Sequence, residues 1–386
     1  MKTYPLGDFS PEAFLQEYWQ KKPLLIHQAF PDHDPLIPAN ELAGLACEEG
    51  VESRLIIQQK QTDLWELQHG PFTEETFSRL PESHWTLLVQ AVDHWLPEAA
   101  RFIQQFDFIP NWRVDDLMIS YASHGGGVGP HYDNYDVFLI QAAGKRQWEI
   151  GGKYDQHSPC RPDTPVLILD QWQHKESCLL EPGDMLYLPP QTGHNGVAVG
   201  DHCMTYSVGF RAPSHSELLS SFSDAMIDRL GNEDRYSDQN LKIQNNPGEI
   251  SRQALEEIQE IFRQYYQDQE LVSDWFGRFV TESKYASDGT TSGTRCTVDD
   301  LIKHHSKGGI IIRNEGSRFA FIHQKDKFTL FVDGKAFECD QDTKRFAENL
   351  CEQHPIILDQ FISNRSSLHL ISQLIQQGSL YPDFPK

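Results

Sequence analysis

Apolar positions along the chain follow two rhythms, and the switches between them mark its parts. Near the start, SPEAFLQEYWQ places Phe14, Leu15, Tyr18 and Trp19 on one side of a short helix, with Ser10 as cap and Pro11 in the first turn. KKPLLI and SRLIIQ read as strands, and HWTLLVQAVDHWLPEAARFIQQF reads as helix with a bend or restart at Pro97. From residue 116 to 210 the apolar runs shorten and are broken by Gly and Pro: DLMISYAS, DVFLIQAAG, RQWEIG, PVLIL, DMLYLPP and HCMTYSVGF. Runs this short and evenly spaced predict the strands of a β-barrel or jelly roll.

Beyond RAPSH the three- and four-residue spacing returns. SELLSSFSDAMIDRL and SRQALEEIQEIFRQYYQDQELVSDWFGRFV predict helices. The polar TESKYASDGTTSGTRC reads as a linker or exposed loop. A helix, two strands (GGIIIRNEGSRFAFIH and KFTLFVDGKAFEC) and further helices complete the chain, in the order of a small winged-helix domain. The expected class is therefore α+β and mainly β, with domains over 1–212, 213–285 and 290–386.

A chain of 386 residues exceeds one ordinary core, which agrees with that division. Hydrophobic residues make up 39% and aromatics 11%, enough to exclude a disordered chain. The formal charge of -23, from 33 basic and 56 acidic residues, argues against direct nucleic-acid binding and suits a basic partner. The C-terminal segment agrees, because its Lys and Arg are scattered among acids without a basic stripe. The N-terminal stretch has no apolar core of signal-peptide type, and no run is long enough to span a bilayer. Seven cysteines, none in a CxxC pair, fit a reducing cytoplasm and exclude a zinc-finger framework.

One stretch, HYDNYDVFLIQAAGKRQWEIG, carries the candidate chemistry. On a strand, His131 and Asp133 would share one face, with Tyr132 on the other. The glycine run HGGGVGP leads into His131, and His194 follows a strand and a Pro-Pro loop in EPGDMLYLPPQTGH. Two histidines and a carboxylate form the facial triad of non-haem Fe(II) oxygenases, which leaves metal positions open. Arg146 begins the next strand-like segment, where it could clamp a carboxylate-bearing cosubstrate in bidentate fashion. A cupin that held metal without turnover, as a regulatory module, would need no such clamp, and nothing resembles the general base of a zinc hydrolase. His304 and His305 are adjacent and would point apart. His157, His174 and His202 lie near the expected barrel and are expected to hold no metal. Cys178 and Cys203 read as small buried apolar residues.

DLMISYASHGGGVGPHYDNYDVFLIQAAGKRQW, together with YLPPQTGHNG and YSVGFRAP, resembles the bacterial ribosomal oxygenases, and residues 116–212 look like a JmjC-type cupin. The resemblance covers essentially the full length. It implies a JmjC cupin barrel (a double-stranded β-helix, or jelly roll), a helical region through which the chain forms a homodimer, and a C-terminal winged helix. It also implies Fe(II), with 2-oxoglutarate as cosubstrate beside O2, and hydroxylation of an arginine in large-subunit ribosomal protein sixteen, a basic partner. His131, Asp133 and His194 match the iron ligands. Arg146 matches the basic residue for the distal carboxylate of 2-oxoglutarate, Ser120 a position associated with the cosubstrate, and Ser207 the pocket wall. Some members carry a small hydroxyl residue where this chain has Ala122. An acidic and aromatic rim of Tyr135, Asp136, Asp115 and Asp116 could grip an arginine through carboxylate forks and cation–π contact. The glycine run and YDVF favour hydroxylation over the alternative JmjC reaction, N-methyl-lysine demethylation.

Overall fold

The computed structural model describes residues 4–31, 34–59, 62–285, 296–306, 310–352 and 356–383. The chain folds as two compact units, Met1–Ala212 and Pro213–Lys386. Residues 286–295 of the expected linker, and the side chain of His304, lie outside the described residues.

In the first unit one antiparallel sheet curls into the expected jelly roll. Its strands are β1 (Leu24–Ile26), β2 (Ser53–Gln59), β3 (Leu64–His69), β4 (Trp85–Val89), β5 (Val114–Ala122), β6 (Asp136–Lys153), β7 (His174–Leu180), β8 (Met185–Leu188) and β9 (Thr192–Phe210). They pair in the order β1-β8-β6-β9-β5-β4-β2-β3, with β7 on the far end of β6. Helices α1 (Pro11–Glu17), α2 (Ala39–Leu45), α3 (Glu74–Ser78) and α4 (Pro97–Ile103) complete the unit. Strand alternation separates two interiors. Phe138, Ile140, Tyr187, Tyr206 and Phe210 pack against the helices, where Phe14 lies 5.5 Å from Phe138 and 5.0 Å from Tyr187, ring centre to ring centre. Val137 and Leu139, on the other face of β6, line a cavity inside the sheet.

Two irregularities set which side chains enter that cavity. Between Gln141 and Ala143 β6 carries one residue more than its partner β9, which steps only from Thr205 to Met204. One extra residue exchanges the faces of everything beyond it. Val137 and Leu139 therefore point inward before the bulge, and Arg146 and Trp148 after it. Gly144 follows the bulge at φ 61°, where a Cβ would stand 2.8 Å from the carbonyl oxygen of His202, so a side chain has neither the conformation nor the room. The second bulge lies in β5. Val114 pairs Phe210 and Leu117 pairs Val208, so β5 spends one residue more than β9 across Asp115 and Asp116.

In the strands of the first unit the structure departs from the sequence reading in three places. HWTLLVQ is strand β4, not helix, because Thr86 and Leu88 line the cavity while Leu87 and Val89 enter the core. A strand covered on both faces reads as a continuous apolar run, which periodicity cannot tell from a buried helix. PVLIL is part of a loop, in which Leu169 bridges Cys160 of the same loop. DVFLIQAAG and RQWEIG are one strand of 18 residues rather than two, joined through the Gly144 irregularity.

The second unit contains α5 (His215–Ile227), α6 (Arg252–Tyr266), α7 (Gln269–Thr281), α8 (Val298–His305), α9 (Gln341–Cys351) and α10 (Arg365–Gln377). Asp268 separates α6 from α7 by accepting from the backbone N–H groups of Glu270 and Leu271. Strands β10 (Ile310–Arg313) and β14 (Leu380–Asp383) pair, and β11 (Phe319–Gln324), β12 (Lys327–Val332) and β13 (Lys335–Cys339) form a meander. KFTLFVDGKAFEC, read as one strand, is the β12–β13 hairpin, turned by Asp333 and Gly334 at φ 48° and 76°. Gly277 seats α7 on the meander, since a Cβ there would lie 2.4 Å from the Phe331 ring. Among the described residues no helix is long and apolar enough to cross a membrane.

Candidate metal and anion site

His131 and His194 are fixed to one another by their backbones. The His131 N–H donates to the His194 carbonyl at 3.0 Å, and the His194 N–H returns the bond at 2.8 Å. This single antiparallel bridge brings the ring centres to 4.2 Å. Each Nδ1 faces a backbone carbonyl at 2.9 Å, Gly129 for His131 and Thr192 for His194. A carbonyl can only accept, so each Nδ1 carries the proton and each Nε2 offers a lone pair. Asp133 Oδ2 lies 4.0 Å from His131 Nε2 and 3.6 Å from His194 Nε2. The three donor atoms lie within 4.8 Å of one another. Burial, then neighbouring His131, pushes the ionisation of His194 down to about 4 against the pull of Asp133. At neutral pH His194 is thus a neutral imidazole.

The triad opens on a cavity of about 430 Å³. Arg146 lines it and is only 3% exposed. Among the described residues, its buried Nε and Nη2 meet no acceptor. Its guanidinium centre lies 5.7 Å from the centre of the Trp148 ring. A buried cation without a counter-charge is costly. Its position in a cavity beside a metal-type triad is explained if an anion from solution completes the pair. Ser120 and Ser207 also line the cavity, and the Ser120 hydroxyl donates to the Thr205 carbonyl at 3.3 Å.

Acidic residues gather at another part of the wall. Alternation would send Asp115 and Asp116 to opposite faces, but the β5 bulge lets both line the cavity. Asp116 Oδ2 is set by Gln90 Nε2 at 2.7 Å and by the Ala91 N–H at 3.1 Å. A Cβ built on Gly209 would meet Asp116, Asp115 and Tyr135 at 3.8–3.9 Å, so these three side chains surround one point. Tyr135 is 42% exposed. Desolvation of its hydroxyl, then the nearby Asp133 and Asp116 carboxylates, pushes its ionisation well above the usual range and keeps it a donor.

Residues 101–218 match the JmjC domain and residues 264–381 the ROXA-like winged helix. The ribosomal protein uL16 3-hydroxylase of Escherichia coli is 39% identical over 306 residues, which cover 79% of this chain and 80% of that protein. This chain belongs to the JmjC ribosomal oxygenases. A probable ribosomal oxygenase of Haemophilus influenzae is 40% identical over 215 residues, 55% of this chain and 52% of its own. The structure of the Escherichia coli ribosomal oxygenase YcfD with cobalt and 2-oxoglutarate matches with a TM-score of 0.86 at 32% identity, over 97% of this chain and 99% of that one.

Within this oxygenase the expected site residues are not all in one place. His131, Asp133, His194, Arg146, Ser120, Ser207, Tyr135, Asp115 and Asp116 share the cavity. Asp136 does not. It is 0% exposed at the head of β6, where it accepts from Tyr187 Oη at 2.6 Å and Gln20 Nε2 at 2.9 Å and pairs with Arg113 at 3.3 Å. It ties the segment after α1 to the sheet and is not part of the cavity rim. His131 is strand-like through its bridge, whereas Tyr132 and Asp133 lie outside regular structure. His174 does have a nearby carboxylate, Glu149 at 3.7 Å, without a third group of ligand type. The sequence reading missed Trp148 and Thr205. Trp148 stands two residues beyond Arg146 on the same strand face, with its indole N–H also buried and without an acceptor among the described residues.

Replacing His131, Asp133 or His194 singly by Ala is expected to weaken Co(II) binding by more than the roughly 10–100-fold that loss of an outer partner costs. The fold should hold, because the core lies on the other face of the sheet. Calorimetric titration with Co(II), with circular dichroism as control, reads both. A variant that binds Co(II) like the wild type removes its residue from the ligand set.

Proposed function

We propose that this chain hydroxylates an arginine side chain of large-subunit ribosomal protein uL16, using Fe(II), 2-oxoglutarate and O2. The observation that carries the reading is the buried Arg146, whose Nε and Nη2 meet no acceptor among the described residues, facing the same cavity as His131, Asp133 and His194. Those residues fit the two absent groups. Two imidazole nitrogens and a carboxylate suit Fe(II) and leave positions for other ligands, while a planar guanidinium suits a dicarboxylate's far end. When bound, iron and 2-oxoglutarate supply oxygen activation, with decarboxylation of the cosubstrate and insertion of one oxygen atom at a C–H bond.

The protein's own residues hold and orient. The Nδ1–H bonds to Gly129 and Thr192 lock both imidazoles with Nε2 inward, so no reorganisation is needed when a metal enters. Val137, Leu139, Leu88 and Trp148 line the cavity with apolar surface that keeps water from the Arg146 pair and strengthens it. Asp115, Asp116 and Tyr135 gather around Gly209, two acidic side chains and an aromatic ring, a set that suits a substrate guanidinium through charge-assisted bonds and cation–π contact. Choice of uL16 is supported by the 3-hydroxylase of Escherichia coli. A net charge of -23 supports encounter with so basic a protein.

The same proposal places the enzyme in the cytoplasm, where ribosomal proteins are made, as a homodimer that binds no nucleic acid directly. Exposed Leu219 and Ile227 on α5, with Leu255, Ile258 and Phe262 on α6, support self-association through these helices. Light scattering over a concentration series reads the mass, and a monomer throughout contradicts the dimer.

Two outcomes are expected. Arg146→Met should weaken 2-oxoglutarate binding by about 2–5 kcal/mol, the usual cost of removing one partner of a buried charged pair. The ligand-free variant should be no less stable than the wild type, because it buries a methionine in place of a lone cation. Calorimetry and urea unfolding measure the two effects, and unchanged 2-oxoglutarate affinity would place the anion elsewhere. In a substrate peptide, arginine-to-lysine replacement keeps the charge but removes the planar fork, and should sharply reduce hydroxylation read by mass spectrometry. Equal turnover of the lysine peptide would refute the arginine assignment.

A further inference from the structure

The cavity that holds the acidic cluster also has an apolar lip. Pro165, Val166 and Leu167, at the tip of the loop between β6 and β7, line it, and Leu167 is 80% exposed. A lone exposed leucine on a slack loop would need no explanation. This loop is tied on every side. Cys160 bridges Leu169, and the Leu169 N–H donates at 2.8 Å to the carbonyl of Pro130, next to the metal-type His131. The Arg161 N–H donates to Ile168 O at 2.8 Å, and the Asp170 N–H to Pro159 O at 3.0 Å. The Arg161 guanidinium reaches across to Asp63, at 2.6 Å from Oδ2 and 3.3 Å from its carbonyl. The Thr164 hydroxyl lies 2.7 Å from the Val166 carbonyl. Ile168 is buried, and its side chain packs so tightly over Gly129 that a Cβ there would stand 3.1 Å away. The backbone is thus held while the apolar tip is kept at the mouth.

We propose that this tip is a specificity surface of the oxygenase. It seats an apolar side chain of the protein substrate, one or two residues from the target arginine, while Asp115, Asp116 and Tyr135 take the guanidinium. The inference rests on the arginine reading above and adds a sequence requirement to it. An acidic cluster alone accepts any exposed arginine of a basic protein. Burying a neighbouring side chain against Leu167 removes apolar surface from water on both partners and rejects arginines with polar flanks. The extended backbone of a bound segment turns successive side chains to different sides, so one short stretch can meet two chemically different walls.

Fluorescent peptides carrying one arginine, flanked either by leucine and valine or by serine and asparagine, test this by polarisation with Co(II) and 2-oxoglutarate present. Wild-type protein should bind the apolar-flanked peptide roughly ten-fold tighter. Leu167→Ser should lose that preference and Leu167→Met should keep it, with 2-oxoglutarate affinity unchanged in both. The side chain is too exposed for either change to endanger the fold. Absence of a flank preference in the wild type, or its persistence in Leu167→Ser, overturns the proposal. Lysine versions of both peptides report separately on the arginine reading. If they bind as well as the arginine peptides while the flank preference stands, that reading fails and the apolar seat remains.

Discussion

The pairing of β6 with β9 is the constraint on which the site depends. These strands of 18 and 19 residues run against each other almost end to end, from Asp136 opposite Phe210 to Lys153 opposite Thr192. That ladder puts His194 opposite Ile150 and Arg146 opposite Ala198, so a member of the metal-type triad and the buried cation stand on neighbouring strands of one curved wall. Regular strands of this length would have turned Arg146 outward. The extra residue of β6 between Gln141 and Ala143, followed by a further register shift between Ala143 and Lys145, reverses the alternation, and Gly144 makes the close approach to His202 possible. His131 is added by two reciprocal backbone bonds with His194, so the two histidines share one rigid support.

Electrostatics divides the cavity into complementary parts. A carboxylate among imidazoles with outward-tied Nδ1 protons favours a cation, the Arg146 guanidinium favours an anion, and the acids near Gly209 favour a second guanidinium. Opposite demands within about 430 Å³ would be unstable if the walls could relax. They persist because each group is held by something outside the cavity: carbonyls for the histidines, Gln90 and the Ala91 amide for Asp116. The fold thus holds groups that would repel or strand one another in a softer protein, which is the condition for preorganised binding.

Much of this was legible in the sequence, and the failures have physical causes. Short runs punctuated by Gly and Pro announced the jelly roll, and the two-histidine, one-aspartate set with Arg146 announced the chemistry. The alternation argument for His131 and Asp133 reached the right convergence for an incomplete reason, since Asp133 lies in an irregular segment rather than on a strand. Bulges have no signature in hydrophobic period, so the sequence could not show that Asp115 and Asp116 share a face or why Trp148 joins Arg146. Asp136 was misjudged because nothing local distinguishes a rim carboxylate from one buried by Tyr187, Gln20 and Arg113, all distant in sequence. The β4 segment failed because a strand buried on both faces carries no alternation.

The central claim is that one cavity holds the metal, the cosubstrate anion and a substrate arginine together. Purified uL16 incubated with the protein, Fe(II), 2-oxoglutarate and O2, then digested and mapped by tandem mass spectrometry, tests it most directly. The account predicts one added oxygen atom on the side chain of an arginine, absent when iron or 2-oxoglutarate is left out. Unmodified uL16 in the complete mixture, or oxygen placed on another residue type, would contradict it.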